Sequence, residues 1–196
     1  MWESLRQWDR DVFIWFNTAN PQWMDPFWIL VTDTKFWIPL FLLIFFLFFR
    51  MFNFKKALLA HIFLFTATGV NIALMLLTKH GVARLRPNNI PELAELIRTL
   101  QEPVSFSFYS GHASNSFVIT VFTILVLRKQ FPWIYVFLIF PLLFTTSRLF
   151  VGVHYPSDLL VGAFMGTLIA IVSYRLFKRV MLKSEAGKKL VHTSDG

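Results

Sequence analysis

Ser147-Arg148-Leu149-Phe150-Val151-Gly152-Val153-His154-Tyr155-Pro156-Ser157-Asp158 places an arginine, a histidine and an aspartate between two long apolar segments. Ionisable groups at the edge of a membrane span are costly, so such residues point to function. Before them lies the apolar stretch Trp133 to Phe150, and after them Leu159 to Phe177. Working outward, further apolar stretches occupy Gly111 to Leu127, Ala57 to Leu77 and Phe36 to Phe49.

The chain is 56% hydrophobic and 18% aromatic. A soluble core could absorb such a composition. Apolar runs recurring at this length in a chain of 196 residues read instead as transmembrane helices. The expected fold is all-α, an integral membrane bundle of about five transmembrane helices plus an N-terminal interfacial amphipathic helix. It forms one domain over residues 1–196, with interfacial helices in 1–35, the transmembrane core in 36–177 and a basic cytoplasmic tail in 178–196. Cysteine is absent, which excludes disulfides, thiol nucleophiles and thiolate metal sites.

Over residues 4–18 a helix would gather Leu5, Trp8, Val12, Trp15 and Phe16 on one face. Arg6, Asp9, Arg10 and Asp11 fall mostly elsewhere, so the helix should lie in the interface. Charges interrupt it, so it does not read as a signal peptide. The fourth span should bend at Pro141, which removes a helix hydrogen bond. Gly162 and Gly166 give the fifth span a face that admits a close neighbour. In the long loop 88–108, Pro91 should open a short helix with the stripe Leu93, Leu96, Ile97 and Leu100, as a membrane-lying lid or a packed loop helix.

Five spans divide the charges unevenly. One side carries Arg50, Lys55, Lys56, Arg128, Lys129, Arg175, Lys178, Arg179, Lys183, Lys188 and Lys189 against Glu185 and Asp195, a net of +9. The other side holds the remaining 8 cations and 9 acids, a net of −1. The formal +8 of the chain therefore reports membrane topology rather than nucleic-acid binding. The first side is cytoplasmic by the positive-inside rule. The chain is expected in a bacterial cytoplasmic (inner) membrane with its polar islands facing outward, to the periplasm.

Three such islands share the outer side. In the first, Lys79 and Arg86 stand seven residues apart, Arg86 a planar fork and Lys79 a point charge for phosphate oxygens. Arg84 between them would add to the field. Ordinary snorkelling cations are the alternative. In the second, Ser110 caps the third span and Gly111 admits close backbone approach, leaving a helix N-terminus suited to an anion with His112 in its first turn. A capped helix start with an incidental histidine is the alternative. In the third, Pro156 fits the first turn of the fifth span, and Asp158 reaches back four residues to one ring nitrogen of His154, leaving the other basic. The alternative is a His–Asp pair that only ties loop to helix.

Taken together, Lys79…Arg86-Pro87, Ser110-Gly111-His112 and Ser147-Arg148…His154…Asp158 resemble the tripartite signature of the type 2 phosphatidic acid phosphatases. These are integral-membrane lipid phosphatases distantly similar to vanadium-dependent haloperoxidases. Tyr109 stands where that family usually has proline, and many relatives have six spans. The resemblance implies that His154 attacks phosphorus to form a phosphohistidine and that Asp158 orients it. It implies that His112 protonates the leaving oxygen. Lys79, Arg86 and Arg148 would hold the phosphate, with Ser110 and the Gly111 amide adding hydrogen bonds. It also implies no metal and no cofactor, consistent with a sequence that has no carboxylate cluster for one. The expected partners are the membrane and a phospholipid or polyprenyl (pyro)phosphate substrate. Sidedness favours undecaprenyl pyrophosphate, with phosphatidylglycerol phosphate, phosphatidic acid and lipid A as alternatives. A non-catalytic phospholipid-binding or transport protein would use the same cations only to bind, and would not need both histidines.

The charge asymmetry is open to direct test. A cysteine introduced at Asn88 should react with an impermeant thiol reagent from outside, and one at Lys183 should not. The reverse labelling pattern would overturn the outward orientation.

Overall fold

A computed structural model describes the backbone of residues 2–194 and the side chains of residues 3–183. Glu185, Lys188, Lys189 and Asp195 of the basic tail lie outside the described side chains. Eight α-helices follow in order: α1 (Trp2–Ala19), α2 (Asp25–Thr32), α3 (Ile38–Met51), α4 (Phe54–Val82), α5 (Pro91–Ala94), α6 (Gly111–Leu127), α7 (Ile139–Phe150) and α8 (Pro156–Ser194). Short 3₁₀ segments precede α2, α3, α5 and α7, and no strand occurs among the described residues.

Among the described residues, four segments are long and apolar enough to cross a membrane: Thr34–Met51, Phe54–Asn89, Pro132–Phe150 and Pro156–Lys183. The fifth, α6, has 17 residues, about 26 Å at the α-helical rise, slightly short of a hydrocarbon core. It is the most enclosed helix, with Val118, Phe122 and Leu127 fully buried, so it need not face lipid along its length. Its most extensive neighbour is α8. A Cβ on Gly162 would lie 2.7 Å from the Ser110 carbonyl oxygen, and one on Gly166 would lie 2.2 Å from that of Ser114. Only glycine lets the two backbones meet this closely, as the small-residue spacing implied. Ile44, Phe48, Leu64, Phe122, Leu127, Ile134 and Phe177 pack the core toward the other end of the bundle.

Three local expectations are corrected. The fourth span does not bend within an α-helix at Pro141. Residues 132–138 are 3₁₀ and α7 begins at Ile139, which puts Pro141 in the first turn, where a missing N–H breaks no ladder bond. The loop helix is a single turn, α5. Beyond it the backbone is claimed by Asn17 of α1, which accepts from Arg98 N at 2.7 Å and donates to Arg98 O at 3.0 Å. Leu93 of the expected stripe is buried, but Leu96 is exposed.

The polar face of α1 is the third correction. Leu5, Trp8 and Trp15 point outward from the protein, as an interfacial helix requires. The inward stripe, however, is Asp9, Phe13 and Asn17, one residue per turn and all buried. Phe13 meets Tyr155 edge-on at 5.6 Å, and Asn17 also donates to the Leu149 and Phe150 carbonyls at the end of α7. So α1 is docked onto the connection that carries His154. That connection turns at Gly152, whose φ of +84° suits glycine and whose Cβ would strike the Arg98 carbonyl at 2.4 Å.

Candidate active site

The three islands converge at one end of the bundle around a cavity of 520 Å³. Lys79, Arg86, Gly111, His112, Arg148 and His154 line it, joined by Thr34, Ser105 and Asn115. Lys79 arrives on the last turn of α4, Arg86 on the extended chain after it, His112 on the first turn of α6, Arg148 on the last turn of α7 and His154 just before α8.

His154 sits between a carboxylate and a guanidinium. Its Nδ1 is 3.2 Å from Asp158 Oδ2, and its Nε2 is 3.0 Å from Arg86 Nη1. Asp158 Oδ2 also accepts from the Tyr155 backbone N–H at 3.0 Å, which fixes the carboxylate one helical turn from the ring. The carboxylate makes Nδ1 the protonated nitrogen and leaves the Nε2 lone pair accepting from Arg86. Asp158 is fully buried behind the histidine and does not itself line the cavity. Burial, reinforced by Arg86, Arg148 and Lys79, holds the His154 imidazole well below the usual histidine range.

The three cations are almost inaccessible, at 5%, 4% and 3% exposure for Lys79, Arg86 and Arg148. Each is held by oxygens that the sequence did not single out. Lys79 donates to the Phe106 and Ser107 carbonyls. Arg86 donates through Nε to the Ser105 carbonyl at 2.6 Å, through Nη2 to Ser105 Oγ at 3.0 Å and through Nη1 to the Val153 carbonyl at 3.0 Å. Arg148 Nη1 donates to Thr32 Oγ1 at 2.5 Å and to Gln101 Oε1 at 2.8 Å, while its buried Nε has no partner. Residues 101–107 thus supply an oxygen to every cation. Polarity and position in the long loop were the available signals, and neither marks these residues individually.

His112 stacks on Phe144 at 4.6 Å and faces the same cavity as His154. Ser110 caps the third span as its position implied. It is fully buried, its Oγ accepts from Ala113 N as the cap of α6, and its own N–H donates to the Asp158 carbonyl at 3.1 Å. Of the pair only Gly111 borders the cavity. Arg84 borders a separate pocket and is absent from the cavity wall, but its charge adds to the field at His154. Among the described residues, no group of three or more His, Asp or Glu side chains gathers as a metal site.

Away from the polar end, the cavity wall becomes Phe41, Thr68, Met75, Leu76, Ile119 and Phe140. Phe41, Thr68 and Ile119 also line a second, almost wholly apolar cavity of 350 Å³ between α3, α4 and α6. Its rim residues Leu42, Phe45 and Phe65 are exposed on the outside of the bundle. A cationic end therefore continues into an apolar groove along the helices.

Comparison with known proteins follows the same lines. A model of the PAP2 superfamily matches residues 57–182. A lipid A 4'-phosphatase of Bacteroides thetaiotaomicron is 31% identical, covering 92% of this chain and 83% of that protein. An undecaprenyl-diphosphatase of Sulfolobus acidocaldarius is 29% identical but covers 55% of this chain and 50% of that protein. A transmembrane PAP2 type phosphatidylglycerolphosphate phosphatase from Bacillus subtilis superposes with a TM-score of 0.70 at 22% identity, over 92% of this chain and 87% of that one.

The environment of His154 leads to a measurable pH behaviour. Its ring nitrogens should keep the shifts of a neutral Nδ1–H ring through about pH 6.5, where an ordinary histidine is half-protonated. The unfolded chain takes up that proton and the folded one does not, so this residue lowers stability as pH falls below about 6.5. ¹⁵N-histidine spectra, assigned by the signal lost in His154→Ala, read it directly. A titration midpoint near 6.5 would contradict the burial argument.

Proposed function

The chain belongs to the PAP2 superfamily, and from that premise we propose that it is a membrane lipid phosphatase working through a phosphohistidine at His154. The observation that carries this reading is the convergence on one cavity of His154, its Asp158 partner, His112 and three buried cations. Phosphoryl transfer asks for positioning and charge stabilisation more than for new covalent chemistry from the protein. In the free protein Arg86 donates to the Nε2 lone pair that must attack. An incoming phosphate offers Arg86 charged oxygens in place of that neutral nitrogen. The exchange frees Nε2 as it fixes the phosphorus in front of it. The unpartnered Nε of Arg148 and the ammonium of Lys79 take further oxygens. His112 delivers a proton to the departing oxygen, and then activates the water that cleaves the phosphohistidine. The cations do the work of a metal, so activity should not depend on one.

The lipid nature of the substrate follows from the apolar groove that continues from the phosphate end. Similarity to a lipid A 4'-phosphatase over nine-tenths of the chain favours a lipid A-type phosphate monoester as the first candidate. Sidedness alone had favoured a polyprenyl diphosphate, which remains the second reading, supported by a relative matched over half its length. Both fit a site on the outer face of the cytoplasmic membrane, as the +9 against −1 division of charge supports.

The two readings separate on the leaving group. A diphosphate expels a phosphate monoester with a second pKa of roughly 6. A lipid phosphate monoester expels an alkoxide whose conjugate acid is nearer water, roughly 16. General acid catalysis is worth about 10²–10⁴-fold, so His112→Ala should approach the upper end on a lipid A phosphate and the lower end on a polyprenyl diphosphate. His154→Ala should abolish both activities. Comparison of kcat/KM for the two substrates in each variant checks this. Equal losses in His112→Ala would reduce His112 to a phosphate ligand, and turnover in His154→Ala would rule out the nucleophile.

A further inference from the structure

The oxygen of Asp158 that does not face His154 is also occupied. Asp158 Oδ1 accepts from Arg84 Nη1 at 2.8 Å. Arg84 is fixed in turn by three other contacts. Its Nη1 donates to Ser157 Oγ at 2.7 Å, its Nη2 donates to Asp9 Oδ2 at 2.6 Å, and its guanidinium lies 3.9 Å over the Tyr155 ring. Asp9 closes the network onto the first turn of α8. It accepts from Ser157 N–H at 2.8 Å and from Ser157 Oγ at 2.5 Å. A continuous line thus runs Asp9–Arg84–Asp158–His154, from the interfacial helix to the reacting ring.

We propose that Arg84 and Asp9 are positioning residues, which act on catalysis through the Asp158 carboxylate and tie α1 to the orientation of His154. Three observations single the line out from ordinary ion pairing. Arg84 has no place on the wall of the reaction cavity, so it cannot serve as a fourth phosphate ligand without moving. Asp9 is 4% exposed on a helix whose neighbouring Trp8 is 54% exposed, so its carboxylate has been turned inward to this one task. And Asp158 lies within the field of Lys79 and Arg86, while its two oxygens are held apart by Arg84 and His154. Arg84 pulls Oδ1 to the opposite side and leaves Oδ2 on Nδ1. The rigid planar fork of arginine holds two carboxylates at a fixed separation, which the rotatable donors of a compact ammonium do not. Asp9 fills the other arm, which keeps Arg84 from swinging toward phosphate.

The inference rests on His154 as the nucleophile, which His154→Ala tests separately. Arg84→Met should lower kcat by about 10–100-fold, the range for partners that orient a functional histidine, with KM changed less than about 2-fold. Asp9→Asn should lower kcat in the same direction and by less. In an Asp158→Asn background, Arg84→Met should cost little more, because its route of action is gone. Arg84→Lys should recover only part of the loss. The ring tautomer gives the same answer without turnover: ¹⁵N spectra of Arg84→Met, or of Asp9→Asn if the former does not fold, should gain Nε2–H tautomer at His154. Raised KM with unchanged kcat would make Arg84 a phosphate ligand and overturn the proposal. So would an equal fold-loss with and without Asp158, or an unchanged tautomer, since either leaves the line a structural strut. Loss of all wild-type phosphatase activity would instead sink the proposed function itself.

Discussion

Three cations are buried together at one end of an apolar bundle, and much of the remaining structure serves to keep them there. Removing each from water costs several kcal/mol, and their mutual repulsion adds to that. The chain offsets the cost with oxygens. Ser105, Phe106 and Ser107 supply backbone carbonyls, while Gln101 and Thr32 supply side chains. Neutral oxygens satisfy donors without cancelling charge. The one carboxylate close to the group, Asp158, is shared with Arg84 and His154. The cavity is thus left electropositive, and the phosphate of the proposed substrate would supply the counter-charge that the protein itself withholds. Burial, reinforced by the same field, keeps His154 neutral, which in the proposed mechanism preserves a lone pair for attack.

This constraint accounts for the placement of elements with no direct chemistry. The 101–107 segment must lie over the cations, so its preceding turns are pinned by Asn17 and Arg98 to α1 and α2. Thr32 must reach Arg148, so α2 packs on α7, with Trp28 stacked on Phe150 at 4.0 Å. The second and third motifs must meet, so α6 and α8 approach at the Gly162 and Gly166 contacts. There Ser110 N–H reaches the Asp158 carbonyl. The helix starts that bear His112 and follow His154 are then held side by side, with the groove between α3, α4 and α6 leading away into the bilayer region.

The bundle and the three motifs were legible because their signals are local. Spans declare themselves by uninterrupted apolar length. His154 and Asp158 are one helical turn apart, so their pairing follows from spacing alone. What stayed hidden depends on long-range contacts. Asp9 meets Ser157 across 148 positions, and Thr32 meets Arg148 across 116. Nothing in the neighbourhood of either residue announces that partner. The partners of Arg84, Asp9 and Asp158, were hidden for a related reason. Sequence fixes the distance of Arg84 along the chain from Lys79 and Arg86, but the left-handed residue Ala83, at φ 50°, redirects the chain after α4. The α1 stripe was missed because Leu5, Trp8 and Trp15 make a stronger apolar face than Asp9, Phe13 and Asn17, and periodicity cannot tell which face meets protein and which meets lipid.

The central claim is that the reaction divides into two steps at His154 Nε2. Its most direct test is rapid acid-free denaturation of the enzyme during turnover of a ³²P-labelled lipid phosphate, followed by peptide mapping. The account predicts label on the peptide carrying His154, as an acid-labile and base-stable phosphoramidate. That label should be absent in His154→Ala and should accumulate in His112→Ala on a diphosphate substrate, where hydrolysis of the intermediate is slowed more than its formation. Sustained phosphate release with no label on His154, from wild type and His112→Ala alike, would contradict it and point to direct attack by water.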